Sequence, residues 1–276
     1  MNELRLPAAD EQLLALARPS GRSVAADGLF DADSPICRWS RENAVVMGGG
    51  CALLLEIAHP LVAAGVARHS EFRRDPFGRL QRTLEAMSAI VFGSTHQAVA
   101  AARSIERVHD AVHGTLGQAA GAFEAGARYS GRDADLVTWV WATLAWTTVR
   151  IHERLLEPVE IGELDVFHAD QARVARLLGL PADRTPATRA DFLGYFDRMR
   201  RERLVVTDEA RAIAEALFSR TSSGLVAGMP GAGLARALAT SLLPAELREP
   251  FGLMWSEADE ERLDRFASQV RRLRRR

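Results

Sequence analysis

Apolar residues return along this chain at intervals of three and four, and sustained two-residue alternation is nearly absent. That period is the helical one, so the chain is expected to fold as an all-α protein. With 276 residues and 47% hydrophobic content there is ample material for a packed core, and 26% charged residues fit an ordinary globular surface. A loose N-terminal segment over 1–33 and one helical domain over 34–276 are expected, because no linker is long enough to force a second domain.

Punctuation residues set the expected element boundaries. Ser34-Pro35 opens a helix toward Glu42, and Gly48-Gly49-Gly50 marks a hinge or a close backbone approach before a buried helix over 51–59. Pro60 disfavours helical geometry at His59, so a break belongs there. Helices follow over 61–69 and 77–92, and Thr95 is expected to cap another that carries Val99, Ile105, Val108 and Val112 up to a stop at Gly114. The Ala- and Gly-rich stretch 117–131 reads as loop. Asp133 caps the most hydrophobic helix, over 136–156, with Trp139, Trp141 and Trp146, and more helices are expected over 160–179, 188–202, 207–219, 232–242 and 256–275.

Several function classes are excluded by composition. All 35 basic residues are arginine, which removes Schiff-base, pyridoxal and phosphate-loop lysine chemistry. They balance 36 acidic residues to a net charge of -1, without the excess of a nucleic-acid binder. Cys37 and Cys51 are the two cysteines, too few for a four-thiolate metal site, and they suit a reducing compartment. No secretory signal is legible at the N-terminus and no stretch reads as a transmembrane span, so a cytoplasmic location is expected.

Three constellations carry chemical potential. His109 and His113 lie four apart on the expected helix, a spacing that places two imidazoles on one face for metal binding. Asp110 replaces the glutamate of the zinc protease signature and no third ligand is identifiable, so that activity is set aside. Glu56-x-x-His59 with Glu106-x-x-His109, helped by Glu42 and Glu85, copies the ligand pattern of ferritin-like di-iron oxidases. Finally, Arg79, Arg82 and Thr83 align two guanidiniums and a hydroxyl, with Arg68, Arg73 and Arg74 upstream. This is a solvated face or an anion or cofactor-carboxylate site. The arginine-rich terminus 271–276 reads as a solvated helix end or a contact for anionic partners.

The run Ala58-His59-Pro60-Leu61-Val62-Ala63-Ala64-Gly65-Val66, followed by Asp75-Pro76, Arg79-Leu80-x-Arg82-Thr83, Val91-Phe92-Gly93 and Val108-His109-x-x-Val112-x-Gly114, resembles the MpaB-type oxygenase family. That family includes the rubber oxygenase (latex-clearing) catalytic domain. The similarity continues through Tyr129-Ser130, Asp133 and Trp139-Val140-x-Ala142-Thr143-Leu144.

What the resemblance implies is a globin-like helical core holding haem b, with His109 as the iron ligand and His113 as its competitor. It places Arg79, Arg82 and Thr83 on the distal side, near dioxygen. Arg82 stands where rubber oxygenases have lysine, and a hydrogen-bonding role suits it better than iron coordination. Trp141 stands where relatives often have histidine and is expected to narrow the pocket.

No counterpart of the acidic base of rubber cleavage is identified, so polyisoprene cleavage is not implied. The implied reaction is oxygenation of an apolar, lipid- or isoprenoid-like small molecule, in a pocket walled by 53–57, 136–144 and Val149. A non-catalytic haem protein that binds a diatomic gas is the alternative with the same ligand set.

Overall fold

The computed structural model describes residues 22–69, 76–218 and 232–274, with the backbone alone for 76–80 and 232. Among the described residues the chain is predominantly helical, with twelve α-helices, one 3-10 helix and one small β-hairpin. Helix α1 (Pro35–Ser40) starts on a proline, whose fixed φ suits the first helical turn, and buries Ile36, Cys37 and Trp39. The 3-10 helix Asn43–Gly48 leads into α2 (Gly49–Ile57). A β-carbon at Gly48 would lie 2.6 Å from Thr147 Cγ2, so glycine here lets two backbones approach closely, as the triple glycine suggested.

At His59 the helix breaks, and Pro60 opens α3 (Pro60–His69) at a bend of 111°. The fold then makes a helical hairpin from α4 (Pro76–Phe92) and α5 (Thr95–Asp110), joined by Gly93 and Ser94 alone. Ser94, not Thr95, is the N-cap. Its side chain accepts from Gln97 N while the Gln97 side chain accepts from Ser94 N, a complete capping box. Backbone from the N-terminal segment braces this joint, since Thr95 N donates to Asp27 O and Ala25 N to Phe92 O.

Two expectations fail beyond the hairpin. Helix α5 ends at Asp110 rather than running to Gly114. Where the end of that helix was expected, β1 (His113–Thr115) pairs antiparallel with β2 (Arg128–Ser130) from the stretch read as loop, Gly114 opposite Tyr129. The buried residues of α5 are Ala98 and Ala102, whereas Val108 of the expected apolar stripe is 65% exposed. Small alanines allow the close approach of α4, and the larger side chains fall to the outside.

Helix α6 (Ala134–Leu155) is the hub, capped by Asp133 as expected and packed on α1, α2 and later helices. Trp139 is fully buried and donates from Nε1 to Leu55 O at 3.1 Å. Trp146, two turns on, lies flat on Phe196 with ring centroids 4.1 Å apart, so one aromatic ring of α8 serves both tryptophans. Trp141 points away from that pair and donates from Nε1 to Gln171 O. All three fill core.

The remaining helices are α7 (Ile161–Leu177), α8 (Arg189–Glu202), α9 (Asp208–Phe218), α10 (Ala232–Leu242), the short α11 (Ala245–Arg248), which patterning missed, and α12 (Glu257–Arg274). One core cluster runs from Phe30 to Val270, and a smaller one joins Leu61 and Ala64 of α3 to Leu116, Tyr129 and Leu136 beneath the β-hairpin.

Candidate functional site

A two-residue joint makes α4 and α5 antiparallel neighbours, so the start of α4 and the end of α5 form the open end of the hairpin. The joint is held tightly: a β-carbon at Gly93 would meet Ala89 O at 2.5 Å. Helix α4 has 17 residues, about 25 Å of rise. Arg79, Arg82 and Thr83 therefore lie in the half of α4 far from the joint, beside the last turn of α5 that carries His109. Arg82 and Thr83 are exposed and His109 is half-buried, while the Arg79 side chain lies outside the described residues, as do Glu71, Arg73 and Arg74.

The backbone around His109 is fixed from three directions. Its carbonyl accepts from Val112 N at 3.0 Å, and Gly131 N donates to Val112 O at 2.7 Å. Arg132 pairs with both Glu106 and Asp110, tying the last turn of α5 to the segment between β2 and α6. Near the same end Ile105 is half-buried and Val108 exposed, and Leu84, midway along α4, is half-buried. This end of the hairpin thus carries one imidazole, a guanidinium and a hydroxyl on neighbouring helices, with apolar side chains nearby that are only partly covered.

His113 does not share a helix face with His109. It sits in β1 with an exposed side chain, and its carbonyl is 2.9 Å from His69 Nε2. A carbonyl so near requires Nε2 of His69 to carry the proton and donate it. The Tyr129 hydroxyl lies 3.4 Å from the same nitrogen, and the His69 and His113 rings are 6.1 Å apart. Sequence reading missed His69 and Tyr129 because α3 and β2 meet here only after the bend at Pro60.

The di-iron arrangement is not formed. Glu106 is exposed and engaged by Arg132, Glu85 accepts from Gln81 Nε2, and Glu42 is buried against Arg274. His59 is buried on Phe123, ring centroids 4.9 Å apart, with Nδ1 unpartnered among the described residues. Burial, reinforced by Arg203, pushes its imidazole down to about 4, so it stays neutral. Among the described residues no three His, Cys, Asp or Glu groups converge on a point that could hold a metal ion. The expected substrate walls are also filled: Leu54, Leu55, Ile57 and Trp139 pack together with no exposed surface.

These donors bear on the kind of cofactor the open end can hold. A bare ion needs three or four protein ligands, whereas a porphyrin brings four nitrogens of its own and asks the protein for one or two. One half-buried imidazole on a braced helix end, with cationic side chains for carboxylates, fits the second kind.

No curated protein and no solved structure matches the chain significantly. Residues 37–272 match the family described as ER-bound oxygenase mpaB/B'/Rubber oxygenase, catalytic domain, and the chain belongs to that family.

Proposed function

We propose that the protein is a haem b-dependent oxygenase of an apolar, lipid- or isoprenoid-like small molecule, with His109 as the iron ligand. The carrying observation is the hairpin itself, which sets His109 beside the half of α4 that bears Arg79, Arg82 and Thr83. Haem, when bound, supplies the redox chemistry that dioxygen needs.

The protein's own part is position and polarity. His109 would hold the iron from a helix end braced by Gly131 and Arg132. Arg82 donates hydrogen bonds from a planar guanidinium, so its part is to orient an oxygen-bearing ligand. Thr83 Oγ1 both donates and accepts, which makes it the group of the three able to hold a mobile proton. Leu84, Ile105 and Val108 exclude water once a flat apolar group covers them.

The test is haemin added to the full-length protein, followed by absorption spectroscopy. A Soret band with an imidazole-ligated spectrum is expected, lost in His109→Ala, together with oxygen uptake that falls in Thr83→Val while the ferric spectrum persists. A colourless protein, or haem binding indifferent to His109→Ala, refutes the assignment.

A further inference from the structure

Beyond its three-residue strands, the β1–β2 hairpin reaches out to a tip at residues 120–123 that lands on another part of the fold. Leu116 N donates to Ala127 O and Gly126 N to Leu116 O, both at 2.8 Å, and at the tip Ala120 and Phe123 exchange backbone hydrogen bonds of 2.8 and 3.0 Å. Of residues 117–126, Ala120 and Phe123 are half-buried and the others exposed, so these two side chains are what the tip leans on.

Two segments make the seat of Phe123. On one side lies the buried ring of His59, at the corner between α2 and α3, with centroids 4.9 Å apart. On another stands the guanidinium of Arg203, between α8 and α9, 5.4 Å from the ring centroid. The two segments are fastened to each other, since Val205 N donates to Ala58 O at 2.8 Å. Gly121 has a φ of +55°, and a β-carbon there would lie 2.6 Å from Val205 Cγ2, so the turn at the tip is left-handed and pressed against the same link.

The other end of the hairpin is the clamp on His109. Val112 N donates to the His109 carbonyl at 3.0 Å and Gly131 N to Val112 O at 2.7 Å. From there the pairs His113–Ser130, Gly114–Tyr129 and Thr115–Arg128 carry the ladder on to Leu116 and Ala127. Val112 at the base and Phe123 at the tip pack on the small apolar cluster beneath the hairpin, which is distinct from the main core. A segment with a small cluster of its own opens and closes as a unit, at lower cost than the whole fold. What keeps the tip seated thereby keeps the clamp closed.

We propose that Phe123 is a positioning residue for His109: seated between His59 and Arg203, it holds the hairpin down on α3 and so fixes the last turn of α5. The restraint stands on the hairpin alone, and its bearing on a cofactor rests on the reading of His109 as the haem ligand. With Phe123 unseated, the bonds of Val112 and Gly131 open more often and a group held by the His109 imidazole escapes faster, while the main core stays closed.

The test is hydrogen exchange of single amides, followed by NMR in full-length, haem-free protein. In Phe123→Ala the amides of Val112 and Gly131 are expected to exchange roughly tenfold faster or more, with those of Ala142 and Ala145 in the main core unchanged. Phe123→Tyr, which keeps a ring in the seat, is expected to restore slow exchange. Unchanged exchange at Val112 and Gly131, or acceleration of all amides alike, overturns the proposal. Should Phe123→Ala fail to fold, Arg203→Ala removes one side of the seat and is expected to speed the same two amides; no effect there rejects the seat. In haem-loaded protein, release to apomyoglobin is expected to be several-fold faster from Phe123→Ala and normal from Phe123→Tyr, and release from Phe123→Ala at the unaltered rate overturns the link to His109. A chain that takes up no haem refutes the ligand reading, and the exchange measurement still decides the restraint.

Discussion

The backbone of Gly131 passes so close to His109 that a β-carbon there would sit 2.6 Å from the His109 carbonyl oxygen and 3.1 Å from its Cα. Neither neighbour is a flexible side-chain tip, so Gly131→Ala must push the last turn of α5 aside. A loss of about 1–3 kcal/mol in urea unfolding is expected, with weakened haem retention if His109 is the ligand. Unchanged stability would show that this contact yields freely.

His113→Ala is expected to leave haem binding intact and stability within about 0.5 kcal/mol. The ring is exposed, and what His69 bonds is the His113 carbonyl, which the substitution retains. Loss of the Soret band in this variant but not in His109→Ala would reverse the ligand assignment.

Acid should destabilise the fold through two buried histidines. His59 and His168 have their pKa lowered from 6.5 to about 4, chiefly by desolvation. Below pH 6.5 the unfolded chain takes up protons that the folded one refuses, so stability present at pH 7 is lost as pH falls toward 4. Each withdraws on the order of 2 kcal/mol between pH 6.5 and 5. Glu42 and Asp170, whose pKa burial raises, act in the opposite sense. His168→Phe, in a site already lined by Phe167 and Phe192, should make the pH 7 to pH 5 fall in urea midpoint shallower than in the unaltered protein. Parallel slopes would refute the attribution.

Arg271 donates to the carbonyls of Leu156 and Arg154 and so closes the end of α6. The arginine-rich terminus is thus built into the fold at Arg271 and Arg274, not wholly solvated. Arg271→Ala is expected to cost about 1.5–3 kcal/mol, the range for hydrogen bonds from a charged donor, read as a lower thermal midpoint. A midpoint that does not move would mean that water caps the helix equally well.

What the sequence made legible is the local and strongly signalled part. Pro60 and Asp133 set their boundaries unaided, because a missing N–H and a capping carboxylate act within one turn. The α5 stripe was misread because Ala98 and Ala102 won the buried face by size rather than hydrophobicity. Three-residue strands such as β1 are too short to show alternation, and their pairing is decided by contacts with α3. The two helices that carry Arg82, Thr83 and His109 were expected on either side of a short joint, while the grouping of these side chains was implied by the family resemblance alone. The pair of Glu42 with Arg274 could not be read this way, since the two residues are 232 apart and meet only when the whole core has closed.

The corner at Pro60 also bears on how the chain is made. Together Asn43–Ile57 and Pro60–His69 are apolar and long enough to resemble a bilayer span, and it is the 111° turn between them that folds that greasiness inward. Most of what buries α2, namely α6 and α10, is synthesised later. A nascent chain paused before residue 134 therefore displays this stretch bare, and chaperone capture during translation should concentrate there.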